Sequence, residues 1–174
     1  MSSKHYADTY PQEMLSIAKR DYDAANRLNN DTTYPKLIEA ICYHSQQAIE
    51  KSIKSILAYH DIKFRKTHDI DLLLTLCKDF LPSDFAGLDK EKADRVTSYA
   101  SDSRYPESPA DLDENDLKFA LNTAKKAIAE AEQLISPEAS KKPTLDELLK
   151  SAQAKAQAHN EKSQLSQKSQ DPTR

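Results

Sequence analysis

The chain has 174 residues and a formal net charge of −3, so it is long enough for one domain with its own core and has no overall positive field that would attract nucleic acid or an anionic membrane. Its single glycine, Gly87, argues against folds built on phosphate-binding glycine loops and against sheets with short hairpins, because both need several residues that tolerate positive φ. The composition therefore favours an all-α fold.

Apolar residues occur in short periodic groups, and no run approaches the ~20 residues that a membrane-spanning helix needs. We therefore expect no membrane association and a cytoplasmic location. Cys42 and Cys77 lie inside apolar helical patterns and have no C-x-x-C partner. We expect both to be core residues rather than members of a disulfide or a zinc site.

Apolar spacing of three and four residues predicts five helices. They are placed at about 11–28, 35–60, 68–80, 89–101 and 113–135. The second helix is the longest, and its isoleucines follow one stripe, so we expect it to be the spine of the fold. The third has a dense apolar set that predicts burial on most sides. This set is Leu72, Leu73, Leu74, Leu76, Cys77 and Phe80.

The character of the sequence changes after Ser136. We predict a helical domain over 10–136 and a tail over 137–174. Within the tail, Thr144 and Glu147 form a capping-box pattern that predicts a short amphipathic helix at about 144–159. The polar, low-complexity end of the tail is expected to be disordered.

A row of polar side chains lies along the second helix. His44, Gln47, Lys51 and Lys54 are spaced so that they share one face, offset from the isoleucine stripe. An imidazole, a carboxamide and two ammonium groups in a row are suited to a phosphate or the edge of a base, although a solvated helix face would have the same composition. Both interpretations stay open at this point.

The segment 51–68 is locally basic, with five Lys or Arg and one Asp in an otherwise acidic domain. Arg65 and His68 lie just before the third predicted helix, where free backbone N–H groups and the helix dipole favour an anion. Alternatively, Thr67 caps this helix and no ligand is involved. We treat Arg65 and His68 as candidate ligand-binding residues.

Arg104 and Tyr105 follow the end of the fourth predicted helix, in a segment that Pro106 keeps extended. The arginine is suited to an internal ion pair, a phosphate or a partner's carboxylate. No serine-hydrolase, zinc-protease or phosphate-loop motif is present in the sequence. We therefore predict no catalytic residues, no metal site and no cofactor.

Three segments together resemble the HEPN family. They are the helix motif H-x-Q-Q-A-x-E-K-x-x-K from His44 to Lys54, the helix start Thr67-His68-Asp69-Ile70, and the loop Ser103-Arg104-Tyr105-Pro106. Their order and spacing match over 10–136. The resemblance implies an up-and-down bundle of about five helices that forms a homodimer. It also implies a nucleotidyltransferase partner, since HEPN proteins are often encoded beside one or fused to it.

Two activities are known in that family: RNA cleavage, used by toxins and defence systems, and binding of nucleotides or other ligands without catalysis. Ribonuclease members have an arginine followed four to six residues later by a histidine. The nearest pair in this chain, Arg65 and His68, is closer than that. We therefore predict a non-catalytic dimeric module that binds a nucleotide or phosphate-bearing ligand through the candidate set. That set is His44, Gln47, Lys51, Arg65, His68, Arg104 and Tyr105.

Two alternatives remain. One is a ribonuclease of a toxin–antitoxin or defence system, with the catalytic arginine and histidine drawn from separate segments, such as Arg104 with His44 or His68. The other is a module that binds only a protein partner. RNA cleavage that depends on His44 and Arg104 would favour the first, and variants that disturb partner capture alone would favour the second.

Overall fold

The fold is all-α, as predicted. The computed structural model describes residues 5–33, 35–82, 84–101 and 112–136, and within them it has helices and no strand. The helices are α1 (Tyr10–Asn30), α2 (Ile38–Tyr59), α3 (Ile70–Cys77), α4 (Lys90–Ser101) and α5 (Glu114–Leu134), with a 3₁₀ turn at Phe85–Gly87. The predicted tail helix at 144–159 and the disordered end lie outside the described residues.

The central element of this up-and-down bundle is α2, which packs against each of the other four helices. Its isoleucine stripe is fully buried at Ile41, Ile49, Ile53 and Ile56. Each such side chain contributes about 1.5–3 kcal/mol when it is removed from water. The prediction that this helix is the spine is confirmed. Cys42 on α2 and Cys77 on α3 are both buried, as expected.

A carboxylate at the start of α5 joins this helix to α4. Asp113 caps the helix, and Asp116 completes a capping box with it. Asp116 Oδ1 also accepts hydrogen bonds from Arg95 Nη2 at 2.6 Å and from the Tyr99 hydroxyl at 2.8 Å. Burial, followed by the contact with the Asp116 carboxylate, raises the pKa of Tyr99. The Asp116 carboxylate thus links α5 to α4.

The end of α2 is closed by a residue in the left-handed region. Asp61 has φ 56°, and the N–H groups of Asp61 and Ile62 donate to the carbonyls of Ala58 and Leu57, which is the pattern of a Schellman cap. Glycine is the usual residue at that position. Here the Asp61 carboxylate instead accepts the backbone N–H groups of His5 and Tyr6, at 2.7 and 3.2 Å, and so ties the N-terminal segment to α2.

The expectation that α3 is buried on most sides is wrong. The helix ends at Cys77, and only Ile70, Leu73 and Cys77 are buried on it. Leu72, Leu76 and Phe80 are 43%, 37% and 38% exposed. The reason is the position of α3 at the side of the bundle, where the helices that it packs on most closely among the described residues are α2 and α4. Among the helices of the described residues, none combines the length and the apolar character needed to cross a bilayer.

Candidate functional site

The polar row on α2 begins at a carboxylate of α1. Asp21 Oδ1 lies 3.2 Å from His44 Nδ1, and Asp21 Oδ2 accepts a hydrogen bond of 2.8 Å from Lys51 Nζ. His44 and Lys51 are two turns apart on α2, so one carboxylate spans the spacing between them. The three side chains are only partly exposed. Asp21 therefore neutralises one end of the row and fixes both residues against α1.

Carboxamides continue the hydrogen bonding along α2. Lys51 Nζ donates to Gln47 Oε1 at 2.8 Å, Gln47 Nε2 donates to Gln46 Oε1 at 2.7 Å, and Gln46 Nε2 donates to Glu50 Oε2 at 2.9 Å. The Gln46–Glu50 and Gln47–Lys51 pairs have the i, i+4 spacing at which helix side chains meet. One chain of bonds therefore runs from Asp21 to Glu50; we call it the polar network.

Glu50 is the buried end of the polar network, with a side chain only 4% exposed. It accepts a hydrogen bond from Lys54 Nζ at 2.6 Å, and its Oε2 lies 3.0 Å from His68 Nδ1. Burial alone would raise the pKa of Glu50, but the hydrogen bonds from Lys54, Gln46 and His68 outweigh it and hold the pKa below its ordinary value. Glu50 is thus a charged, fully partnered carboxylate.

The segment that follows α2, residues 61–69, is called the basic loop here. Its cations Lys63, Arg65 and Lys66 are exposed, and within the described part of the chain none of them forms an ion pair. Phe64 lies between them, with its ring stacked on Tyr6 at 5.5 Å. Three positive charges are therefore presented to solvent from one short segment.

The start of α3 is closed to an anion by its own cap. The N-cap is Asp69, not Thr67: the Asp69 carboxylate accepts the N–H of Leu72 at 2.9 Å. Thr67 Oγ1 accepts the N–H of Asp69, and the N–H of Ile70 donates to Thr97 Oγ1. A negative side chain thus occupies the position where the sequence suggested a docked phosphate, so any anion would have to bind on the loop's cations instead.

The structure brings most of the candidate residues together. His44, Gln47 and Lys51 belong to the polar network, and His68 joins it through Glu50. Arg65 is three residues before His68 on the basic loop. The other two members of the candidate set, Arg104 and Tyr105, lie outside the described residues.

Sequence reasoning missed three residues of the network: Asp21, Gln46 and Glu50. Gln46 and Glu50 lie inside the motif on α2. Gln46 is four residues before Glu50, and Glu50 is four residues before Lys54, so the sequence alone could have indicated that these side chains meet. Asp21 is on another helix, but it follows Ala18 by three residues and precedes Ala25 by four. A carboxylate on the buried side of α1, where both alanines are fully buried, could have been recognised as one that needs a partner.

His44 and His68 each have Nδ1 close to a carboxylate, that of Asp21 and that of Glu50 respectively. The opposite edge of each imidazole ring is then the one that could contact a ligand. In the described residues no three His, Cys, Asp or Glu side chains converge in a way that could hold a metal ion. The described residues offer hydrogen bonding and positive charge, from an ordered row on α2 and from the basic loop.

Comparison with known proteins gives one result. The HEPN domain profile matches residues 11–135. No curated protein and no solved structure matches the chain. The profile covers well over half of the sequence and includes every helix of the bundle except the first residue of α1. The chain therefore belongs to the HEPN domain family.

Proposed function

We propose that this HEPN protein is a non-catalytic module that binds a nucleotide or another phosphate-bearing ligand on the basic loop and the adjoining face of α2. The observation that carries the proposal is the set of three exposed cations, Lys63, Arg65 and Lys66, that have no ion partner among the described residues. Cations that are not neutralised internally keep their full attraction for an anion. The neighbouring polar network supplies hydrogen-bonding groups in fixed positions.

The residues of the proposed site differ in the part of a nucleotide that each could bind. Arg65 suits a bidentate contact with phosphate oxygens, while a lysine provides a compact point charge. The free edges of His44 and His68 and the amide of Gln47 suit the polar edges of a base or a ribose. Lys51 is paired with Asp21 and donates to Gln47, so it holds the Gln47 amide in place behind this surface. Arg104 and Tyr105 belong to the proposed set through the family motif that they match.

The proposal extends to partners on the strength of family membership. We propose that the protein is a homodimer, that it acts together with a nucleotidyltransferase, and that it is cytoplasmic. Sedimentation velocity of the purified full chain tests the first point. Co-expression with a nucleotidyltransferase encoded beside it, followed by gel filtration, tests the second.

Calorimetric titration with ATP, AMP and inorganic pyrophosphate tests the binding. We expect saturable binding that tightens with the number of phosphates and weakens with added salt. The variant Arg65→Ala/Lys66→Ala should bind ATP about tenfold or more weakly, since hydrogen bonds to charged groups contribute about 1.5–3 kcal/mol each. The matched control Lys118→Ala/Lys125→Ala removes two exposed α5 cations and should stay near wild type. Absence of binding to all three probes would refute the proposal.

One observation favours a second candidate, RNA cleavage. Each of two histidines has Nδ1 against a carboxylate, His44 with Asp21 and His68 with Glu50, and a carboxylate-oriented imidazole is suited to general acid–base catalysis. Incubation with labelled single-stranded and structured RNA without added metal tests this candidate. Cleavage that disappears in both His44→Ala and Arg104→Ala would make the protein a ribonuclease, whereas intact RNA in every lane would eliminate this candidate.

A further inference from the structure

Lys54 is the residue from which the basic loop is held. Its Nζ donates a hydrogen bond of 2.6 Å to Glu50 Oε1 and one of 2.8 Å to the carbonyl of Thr67. The same Nζ lies 5.6 Å from the ring centre of Phe64. The Lys54 side chain is only 12% exposed. Its charge therefore points into the protein and is fully used by one carboxylate, one carbonyl and one aromatic face.

The residues of the basic loop fall into two groups, one that contacts α2 and one that faces solvent. Phe64, Thr67 and His68 make the inward contacts, the first two with Lys54 and the last with Glu50. The outward residues are the cations Lys63, Arg65 and Lys66. The residues that make the inward contacts are adjacent in sequence to the cations. Holding these residues in place therefore also holds the backbone of Lys63, Arg65 and Lys66 in place.

Across the part of the chain that the structure describes, the hydrogen bonds of the Glu50–Lys54 ion pair stay within α2 and the basic loop. Glu50 and Lys54 both belong to α2, and Gln46 on the same helix donates a hydrogen bond to Glu50. Their remaining polar and cation–π contacts are with Phe64, Thr67 and His68 of the basic loop. By contrast, the Asp21–Lys51 pair joins α1 to α2. The two ion pairs of α2 thus have different roles. The Asp21–Lys51 pair holds two helices of the bundle together, and the Glu50–Lys54 pair holds the basic loop.

We propose that the Glu50–Lys54 ion pair is the positioning device of the ligand site: it touches no ligand, but it orders the basic loop so that Lys63, Arg65 and Lys66 form one cationic surface. This inference rests on the proposed function. Binding is stronger when the loop backbone is ordered beforehand, because the entropy cost of ordering that backbone is not paid on association. The ion pair then contributes to affinity without a contact of its own.

The test uses the full chain with Glu50→Gln and Lys54→Met combined. Removing both charges together avoids leaving one buried charge without its partner, which single substitutions would do at a larger cost in stability. Hydrogen–deuterium exchange should show the amides of 61–69 exchanging about tenfold faster, while peptides of α1 and α5 stay at wild-type rates. The ATP dissociation constant should rise about tenfold.

The matched control is Asp21→Asn, which breaks the neighbouring ion pair between α1 and α2. It should leave exchange in 61–69 unchanged. A second readout separates positioning from contact: the combined variant still has all three loop cations, so its ATP affinity should fall with salt as steeply as that of the wild type, whereas Arg65→Ala/Lys66→Ala should respond less.

Two results would overturn the inference: loop exchange at the wild-type rate in the combined variant, or equal acceleration across all helices, which would make the pair a general stabiliser. Faster loop exchange in a protein whose wild type does not bind ATP, AMP or pyrophosphate would support the ordering of the loop and refute the proposed function. The exchange experiment needs no ligand, so the two failures are distinguishable.

Discussion

Lys51 on α2 donates a hydrogen bond of 2.8 Å to Asp21 on α1. The cation at the centre of the family motif is thus held by a residue outside the motif. Both side chains are about one-fifth exposed, so the contact is shielded enough from water to exceed the small energy of a surface ion pair. It fixes the register of α1 against α2 at the place where the polar network begins.

Asp21→Asn should lower the free energy of unfolding by about 1–2 kcal/mol, because Lys51 loses a charged acceptor and His44 loses its carboxylate partner. Urea unfolding followed by circular dichroism measures the change. Asp23→Asn is the control: Asp23 is an exposed carboxylate on the same helix, and its substitution should change stability by less than about 0.5 kcal/mol. Equal effects of the two substitutions would mean that the contact with Lys51 contributes nothing.

The helices could be predicted from the sequence because apolar periodicity is a local signal. The α2 stripe, for example, places Ile49, Ile53 and Ile56 on one face, and all three are buried. The extent of burial was harder to predict. Leu72 and Leu73 are equally apolar in the sequence, and only the positions of α2 and α4 around α3 determine that Leu73 is buried and Leu72 exposed.

The candidate site divides in the same way. His44, Gln47 and Lys51 could be grouped from their spacing on one helix, and the structure joins them in one network. The contact of His68 with Glu50 needed the path of the basic loop, and the contact of Lys51 with Asp21 needed the register of α1 against α2. Neither is contained in helical spacing, because each depends on tertiary packing between segments far apart in sequence.

Asp61 allows a test of backbone strain. Asp61→Ala keeps a side chain at φ 56° and removes the acceptor for the N–H groups of His5 and Tyr6, while Asp61→Gly removes the same acceptor and also the strain. Asp61→Gly should therefore be more stable than Asp61→Ala by about 1 kcal/mol. Thermal or urea unfolding of the two variants gives the difference. Indistinguishable stabilities would show that the left-handed conformation at Asp61 costs little.

The buried thiols predict a loss of stability at alkaline pH. Burial raises the pKa of Cys42 and of Cys77 from 9.0 to about 12. Between these values the unfolded chain releases thiol protons that the folded chain retains, so the unfolded state binds fewer protons and stability falls as pH rises above 9. Below pH 9 both states are protonated, and the thiols give no pH dependence.

Urea unfolding at pH 8, 9 and 10 checks this. The wild type should lose more stability between pH 9 and 10 than Cys42→Ala, which has one buried thiol fewer, even though the variant is less stable at every pH because of the cavity. Alkylation by iodoacetamide at pH 8 should be slow in the folded protein and fast in urea. Rapid alkylation of the folded protein would contradict the burial of both thiols.

The two faces of α3 can be compared by a pair of identical substitutions. Leu73 is fully buried and Leu76 is 37% exposed, and both are in the same helix, so helix propensity changes equally in Leu73→Ala and Leu76→Ala. Leu73→Ala should cost about 2–5 kcal/mol because it leaves a cavity against the core. Leu76→Ala should cost less, about 1–2 kcal/mol, because part of the Leu76 side chain stays in water and its removal leaves no closed cavity. Urea unfolding measures both costs, at a protein concentration at which sedimentation shows the same association state for the wild type and the two variants.

A cost of Leu76→Ala as large as that of Leu73→Ala would mean that a second molecule covers the exposed face of α3 in solution. The cost of Leu76→Ala should then become smaller on dilution.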